Sequence, residues 1–126
     1  MRAFEVVETT IREIGLALAS RTLSAVELVE LYVDRIQAYD KDGPCLNSVI
    51  TISATAADEA ARLDRRLRSG GPVGPLHGVP VMLKDQVDSV GMPTTLGSVL
   101  FKDYSPRRDA FAVARLKRAG AIVLGK

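Results

Sequence analysis

The sequence of 126 residues predicts an α/β fold whose sheet contains parallel strand pairs. Segments of helical and strand character alternate through the second half of the chain, which is the pattern of parallel strands joined by helices. Two short apolar runs, 79–83 and 121–124, have the length of buried strands. The predicted order is helix, helix, strand, helix, strand, long loop, helix and strand, with no internal repeat.

Two helices are predicted in the first third of the chain. Apolar residues at helical spacing predict the first over about residues 9–19, where a threonine can cap the N-terminus. Ser24 and Glu27 form the capping box that starts the second helix, and Asp42-Gly43-Pro44 ends it. The apolar residues expected to face the core are Ile11, Ile14 and Leu18 in the first helix, and Leu28, Tyr32, Ile36 and Tyr39 in the second.

A strand and a third helix come next. The β-branched run 49–52 predicts the first strand. Ser53 or Thr55 can cap the third helix, and acidic residues in its first turn suit the helix dipole. The predicted inward stripe is Ala56, Ala60, Leu63 and Leu67; the predicted outward face holds Arg62, Arg65, Arg66 and Arg68 beside Asp64.

A fourth helix and a final strand are predicted near the end of the sequence. Asp109 can cap this helix, and Gly120 is expected just after its last turn. One face carries Phe111, Ala112, Val113, Leu116 and Ala119, and the other carries Arg115, Lys117 and Arg118. The sequence stops directly after the apolar run 121–124, which leads us to expect cover from further sequence or from another chain.

Composition and charge argue against several classes of function. With 17 basic and 15 acidic side chains, the net charge of +2 is too balanced to favour nucleic acid or an anionic membrane. The arginine row has no interleaved aromatic residues and is typical of a solvated helix face. Neither metal nor cofactor is expected, since Cys45 is the one cysteine and no His/Cys cluster accompanies it. The acidic N-terminus and the lack of a long apolar run predict a cytoplasmic protein.

The stretch from Gly74 to Asp85 carries the strongest chemical signal. A Gly/Pro turn leads into an apolar run that ends abruptly at Lys84, and ligand sites of open α/β sheets lie outside the carboxyl ends of strands. Burial among the apolar residues 79–83 would favour the neutral amine. Lys84 is therefore a candidate proton acceptor for a hydroxyl, as in Ser–Lys variants of the hydrolytic triad. The alternative is that Lys84 and Asp85 mark where a buried strand reaches water.

Other polar residues near this stretch favour structural roles. His77 could be a general base, but its Gly/Pro surroundings favour a fixed turn residue. Asp85 and Asp88 could form a carboxylate pair, although loop-fixing bonds to backbone N–H groups are preferred. No local pattern marks a nucleophile among the hydroxyls Thr94, Thr95 and Ser98.

Several motifs lie in one register and cover essentially the whole chain. They are Ser24 to Leu28, Asn47, Gly74 to Pro80, Lys84-Asp85, Gly91 to Thr95, Gly97-Ser98, Asp109 to Phe111, Arg115-Leu116, Ala119 to Ala121 and Leu124 to Lys126. Together these segments resemble the amidase signature family, and their extent makes the resemblance specific.

The resemblance implies a mixed sheet covered by helices and a Ser–Ser–Lys triad that cleaves amides. Lys84 aligns with the triad lysine, which would take a proton from a serine preceded by a cis peptide bond. That serine would relay from the nucleophilic serine, and backbone N–H groups would stabilise the oxyanion. The substrate would be a small-molecule carboxylic amide, and Lys84 is the one catalytic residue expected in this sequence.

Two departures from the family pattern limit this interpretation. The Gly/Ser-rich segment with both serines normally follows Leu124-Gly125-Lys126, and Gln86 stands where asparagine is commoner. The serines that lack a Gly-Gly-Ser-Ser context are Ser48, Ser53, Ser69, Ser89, Ser98 and Ser105. Residues 1–126 are therefore predicted to be the incomplete N-terminal part of an amidase domain, inactive alone. The alternatives are a non-catalytic fragment that associates through its exposed sheet edge, and the A-type component of a tRNA-dependent amidotransferase.

Overall fold

The computed structural model describes residues 4–71 and 73–126. The helices are α1 (Ile11–Ala19), α2 (Ala25–Ile36), α3 (Ala56–Arg68) and α4 (Phe111–Arg118), and the strands are β1 (Pro80–Met82) and β2 (Ile122–Gly125). A π-helical turn, Gln37–Lys41, extends α2, and a 3₁₀ turn, Val99–Phe101, lies between β1 and α4. Within these described ranges, no helix combines the length and apolar character needed to cross a membrane.

The two strands pair in parallel, as predicted. Pro80 lies opposite Ile122 and Val81 opposite Val123. The four residues of β2 are buried, whereas β1 is half-buried and Met82 is 44% exposed. Because the strands are parallel, their carboxyl ends reach the same edge of the sheet.

The predicted first strand, 49–52, forms an isolated antiparallel bridge instead of a regular strand. Ile52 pairs with Gly125, and the Thr51 carbonyl accepts a 2.8 Å hydrogen bond from the Lys126 N–H. The start of the run is diverted because the buried Asp40 carboxylate accepts hydrogen bonds from the N–H groups of Ser48 and Val49. Residues 50–53 nevertheless lie along the free side of β2, so the sheet is mixed in direction.

Two buried clusters hold the helices and the loops against β2. The larger one joins α1, α2 and α3, and the smaller one lies under the loop between β1 and α4. The buried members are Ile14, Leu18, Leu23, Ala25, Leu28, Val29, Ala56, Ala60, Leu63, Val79, Ile122 and Leu124 in the first, and Met92, Val113 and Val123 in the second.

The caps of the first two helices follow the sequence pattern. Ser24 and Glu27 form the predicted capping box of α2, and Thr10 and Glu13 form a second one on α1. The prediction that Asp64 belongs to the solvated face of α3 is wrong, because Asp64 is buried. Its carboxylate accepts hydrogen bonds from the N–H groups of Ala25 (2.8 Å) and Val26, so α3 supplies a cap to α2.

Four side chains that were expected to face the core are exposed, and Ala112 at the start of α4 is one of them. Ile11 is 55% exposed in the first turn of α1, and Phe111 is 75% exposed at the start of α4. Tyr39 is 48% exposed because it lies in the π-helical turn, where the α-helical spacing of α2 no longer holds. The apolar stripes are therefore correct over most of each helix, and the errors lie in the first turns of α1 and α4 and in the π-helical turn.

The predicted cap of α4 is also wrong. Asp109 does not cap this helix, whose N-cap is Ala110. The Asp109 carboxylate instead binds the Val90 N–H and the Lys117 ammonium, each at 2.8 Å. It therefore joins α4 to the loop that follows β1.

Replacing Asp64 by asparagine tests the cap between helices. Asp64→Asn keeps the shape but removes the charge and replaces one of the two acceptor oxygens by an NH2 group that faces a backbone N–H, so we expect the free energy of unfolding to fall by about 1–2 kcal/mol. The control Asp34→Asn alters an exposed carboxylate in α2 and should change it by less than about 0.5 kcal/mol. Urea denaturation measures both, and equal losses would contradict the capping role of Asp64.

Two glycine substitutions with opposite expected effects on stability test the turn before β1 and the middle of α1. A Cβ on Gly74 would overlap the Ala119 carbonyl oxygen, which also accepts a 2.9 Å hydrogen bond from Leu76 N–H. Gly74→Ala should therefore destabilise the fold by about 1–3 kcal/mol. A Cβ on Gly15, in the middle of α1, would meet no atom within 4 Å. Gly15→Ala should therefore stabilise the fold by about 0.5–1 kcal/mol. Thermal unfolding of both variants measures the direction of each change in stability. A Gly74→Ala variant as stable as the wild type would refute the close contact between Gly74 and the Ala119 carbonyl.

Candidate functional site

Lys84 lies at the carboxyl end of β1, on the outer strand of the parallel pair. The N–H of Leu83 still binds the Gly125 carbonyl at 2.9 Å, so the sheet ends one residue before Lys84. The Lys84 carbonyl then accepts a 2.9 Å hydrogen bond from Val87 N–H, which closes a turn. The Lys84 side chain is exposed. The expected apolar enclosure is therefore not provided by residues 4–71 and 73–126.

Asp85 fixes the far end of the loop that follows Lys84. Its carboxylate accepts hydrogen bonds from the N–H (3.1 Å) and the hydroxyl (2.9 Å) of Thr95. Burial would raise the pKa of Asp85, but the bonds from Thr95 outweigh it and leave the pKa below its usual value. The loop-fixing interpretation is confirmed for Asp85, whose carboxylate belongs to the loop rather than to Lys84.

Lys126 is the residue of this region that sequence reasoning missed. It follows β2 as Lys84 follows β1, but it is buried, with 4% of its surface exposed. Its Nζ donates to the Asp85 carbonyl (3.1 Å), the Pro93 carbonyl (2.8 Å) and the Thr94 hydroxyl (2.8 Å). The signal was present in the sequence, since two apolar runs each end in a lysine and parallel strands end at one edge.

Protein oxygens stabilise the charge of the buried Lys126 side chain. Burial lowers its pKa below the ordinary lysine value, while the carboxylates of Asp85 and Asp88 act in the opposite direction. Three acceptors surround the amine, and only the ammonium form has three N–H donors. The three hydrogen bonds therefore require the protonated form of the Lys126 amine.

The remaining sequence candidates lie elsewhere or have structural contacts. His77 is at the amino end of β1, far from Lys84 along the strand, and its N–H binds the Gly74 carbonyl at 3.1 Å, which confirms the turn interpretation. Burial lowers its pKa. Ser98 accepts a hydrogen bond from the Leu100 N–H, and Cys45 is exposed and free. The Asp88 carbonyl accepts from the Ala110 N–H, which ties the loop to the start of α4.

Comparison with known proteins identifies relatives along the whole chain. The family model for amidases matches residues 27–126. The A-type component of the glutamyl-tRNA(Gln) amidotransferase of Acidothermus cellulolyticus is 38% identical over 123 residues, which are 97% of this chain and 24% of that protein. The indoleacetamide hydrolase of Bradyrhizobium diazoefficiens is 43% identical over 110 residues, 86% of this chain and 20% of that protein.

Solved structures share the fold at similar identity. The peptide amidase from Stenotrophomonas maltophilia superposes with a TM-score of 0.92 and 40% identity, over 95% of this chain and 24% of that chain. An amidase family protein from Bacillus anthracis superposes with a TM-score of 0.89 and 41% identity, over 96% of this chain and 24% of that chain. This chain spans about a quarter of the length of the relatives it matches. With the family model, the fold and the sequence relatives in agreement, the chain belongs to the amidase signature family.

Proposed function

We propose that this chain is the N-terminal part of an amide hydrolase and that Lys84 is its proton acceptor. The observation that carries the proposal is the position of Lys84, directly after a strand whose partner β2 ends at the same sheet edge. The agreement with peptide amidases in fold and sequence supports it. The triad serines would come from the part of the domain that follows Lys126 in the family pattern.

The proposed reaction needs a lysine amine that can exchange a proton with a hydroxyl. The neutral Lys84 amine would take the proton of the intermediate serine, which in turn takes the proton of the nucleophilic serine. The serine oxygen then forms a bond to the amide carbonyl carbon. As the C–N bond breaks, the amine leaves with the proton returned through the same path. Water cleaves the acyl-enzyme ester and releases the carboxylic acid, and the serine is regenerated.

The exposure of Lys84 in this chain is compatible with that role. An exposed lysine is normally a cation, so the proposed chemistry requires surfaces that cover the amine and exclude water. A chain that spans a quarter of its relatives leaves room for such cover in the rest of the domain. For this reason we propose that residues 1–126 alone do not hydrolyse amides.

A second candidate function is amide transfer to a charged tRNA. Several relatives are named as the A-type component of glutamyl-tRNA(Gln) amidotransferase, including one at 38% identity over 97% of this chain. The chemistry at Lys84 would be the same, but the ammonia released would pass to a charged tRNA held with a partner protein. Hydrolysis of a simple amide by the purified protein without added partners favours the hydrolase.

Lys84→Met tests the proton acceptor in the complete protein encoded by the reading frame. Methionine keeps an unbranched chain without the amine, so we expect kcat for a peptide amide to fall by about 10³-fold with normal thermal unfolding. Lys102→Met removes an exposed lysine outside the site and should leave kcat unchanged. Retention of activity by the Lys84→Met enzyme would refute the assignment.

Self-association of the 126-residue chain tests the alternative of a binding fragment. The residues after β1 expose large apolar side chains, with Val99 at 82% and Leu100 at 88%, and the edge strand β1 ends at the exposed Met82. Such surfaces recruit other chains, so the fragment hypothesis predicts a dimer or larger species in light scattering. A monomer across the concentration range would argue against it, and Leu100→Ser should reduce association if the patch drives it.

A further inference from the structure

The Lys126 ammonium joins the two ends of the loop that begins at Lys84. It binds the Asp85 carbonyl at one end and the Pro93 carbonyl and Thr94 hydroxyl at the other. Lys126 and Thr94 are 4% and 5% exposed, so water has little access to compete for these contacts. Every N–H of the ammonium has a protein acceptor. This is a satisfied, buried cation bound mainly by main-chain oxygens.

Asp85 is held on both its main chain and its side chain. Its carbonyl faces Lys126, and its carboxylate faces the N–H and hydroxyl of Thr95. On the other side of Lys84, the Leu83 N–H binds the Gly125 carbonyl. The main chain is therefore anchored one residue before and one residue after Lys84, and Lys126 supplies the second anchor.

We propose that Lys126 is a positioning residue for Lys84, whose ammonium fixes the main chain from which the Lys84 amine extends. This inference rests on the proposed function of Lys84. Lys126 itself touches neither the amine of Lys84 nor any substrate in this role. Its effect is geometric, because the reach of the exposed Lys84 side chain starts from a Cα that Lys126 and Asp85 hold in place.

Removal of the ammonium would release this anchor. Lys126→Met leaves the Asp85 and Pro93 carbonyls and the Thr94 hydroxyl without their donor in a buried place, which favours rearrangement of the loop towards water. A misplacement of about 1 Å at a reacting group can cost about 10²-fold in rate. Binding of substrate by other parts of the domain would be affected less than turnover.

Steady-state kinetics of the complete protein test the proposal. Lys126→Met should lower kcat for a peptide amide by about 10–100-fold while KM changes by less than about threefold. Thr94→Val removes one acceptor at nearly constant volume and should shift kcat in the same direction by a smaller factor. The matched control is Lys41→Met, which removes a lysine bonded to the Val49 carbonyl and Asp40, and its kcat should equal that of the wild type.

Amide hydrogen exchange of the complete protein provides a readout that does not depend on activity. In Lys126→Met the N–H groups of Val87 and Thr95 should exchange about tenfold faster or more, whereas Lys41→Met should leave them unchanged. The complete wild-type protein should also show a slowly exchanging Lys126 ammonium signal in a ¹H–¹⁵N spectrum. Unchanged exchange in Lys126→Met overturns the proposal.

The outcomes separate this inference from the proposed function. An inactive Lys84→Met with wild-type kcat in Lys126→Met overturns the positioning role and leaves the lysine assignment intact. A complete wild-type protein that hydrolyses no amide overturns the proposed function and this inference with it. A similar loss of kcat in Lys41→Met and Lys126→Met would show that Lys126 contributes only to general stability, and it would also overturn the proposal. If Lys126→Met does not fold, the same comparison is made with Thr94→Val.

Discussion

The burial of β2 is the constraint on which the rest of the structure depends. Its four residues are buried, and both of its hydrogen-bonding sides are used, by β1 in parallel and by residues 51–53 in antiparallel direction. A strand enclosed in this way fixes the register of its neighbours, because a slip of one residue would turn apolar side chains outward. The register in turn brings the ends of β1 and β2 to one edge.

Lys84 and Lys126 occupy equivalent ends of neighbouring strands in contrasting environments. The loop from Asp85 to Thr95 folds over Lys126 and leaves Lys84 outside, so one amine becomes part of the interior and the other stays available. Desolvation acts on the buried amine, and its cost is offset by oxygen acceptors and by nearby carboxylates. The same sheet edge therefore places a structural cation beside the proposed proton acceptor.

Local patterns in the sequence predicted the helices, and non-local contacts account for the errors. The capping box at Ser24 involves residues three apart and could be recognised directly. Asp64 and Asp109 could not, because their hydrogen-bond partners Ala25 and Val90 lie 39 and 19 residues away along the chain. The amphipathic pattern places Asp64 correctly on α3 but says nothing about which helix end it will meet. In the same way, Asp40 accepts a hydrogen bond from the Val49 N–H, which the run 49–52 would otherwise offer to a strand.

The site was predictable only in part for the same reason. The position of Lys84 at the end of a strand follows from the apolar run before it, and the loop-fixing role of Asp85 follows from its setting in a turn-rich segment. The role of Lys126 depends on the parallel pairing of two distant strands, with Val81 opposite Val123 at the centre. Sequence patterns predict the strands but not the atoms that meet under the loop.

The anchored backbone around Lys84 has an energetic consequence for whatever surface covers it. With Leu83 and Asp85 already held, enclosure of the amine has to immobilise only the torsions of one side chain, a loss of about 2 kcal/mol of rotamer freedom for a lysine. Ordering a free loop as long as the one from Asp85 to Thr95 would cost several times more, at about 1–2 kcal/mol per residue. Most of the entropic penalty of ordering this segment of the proposed site is thus already met when this part of the chain folds.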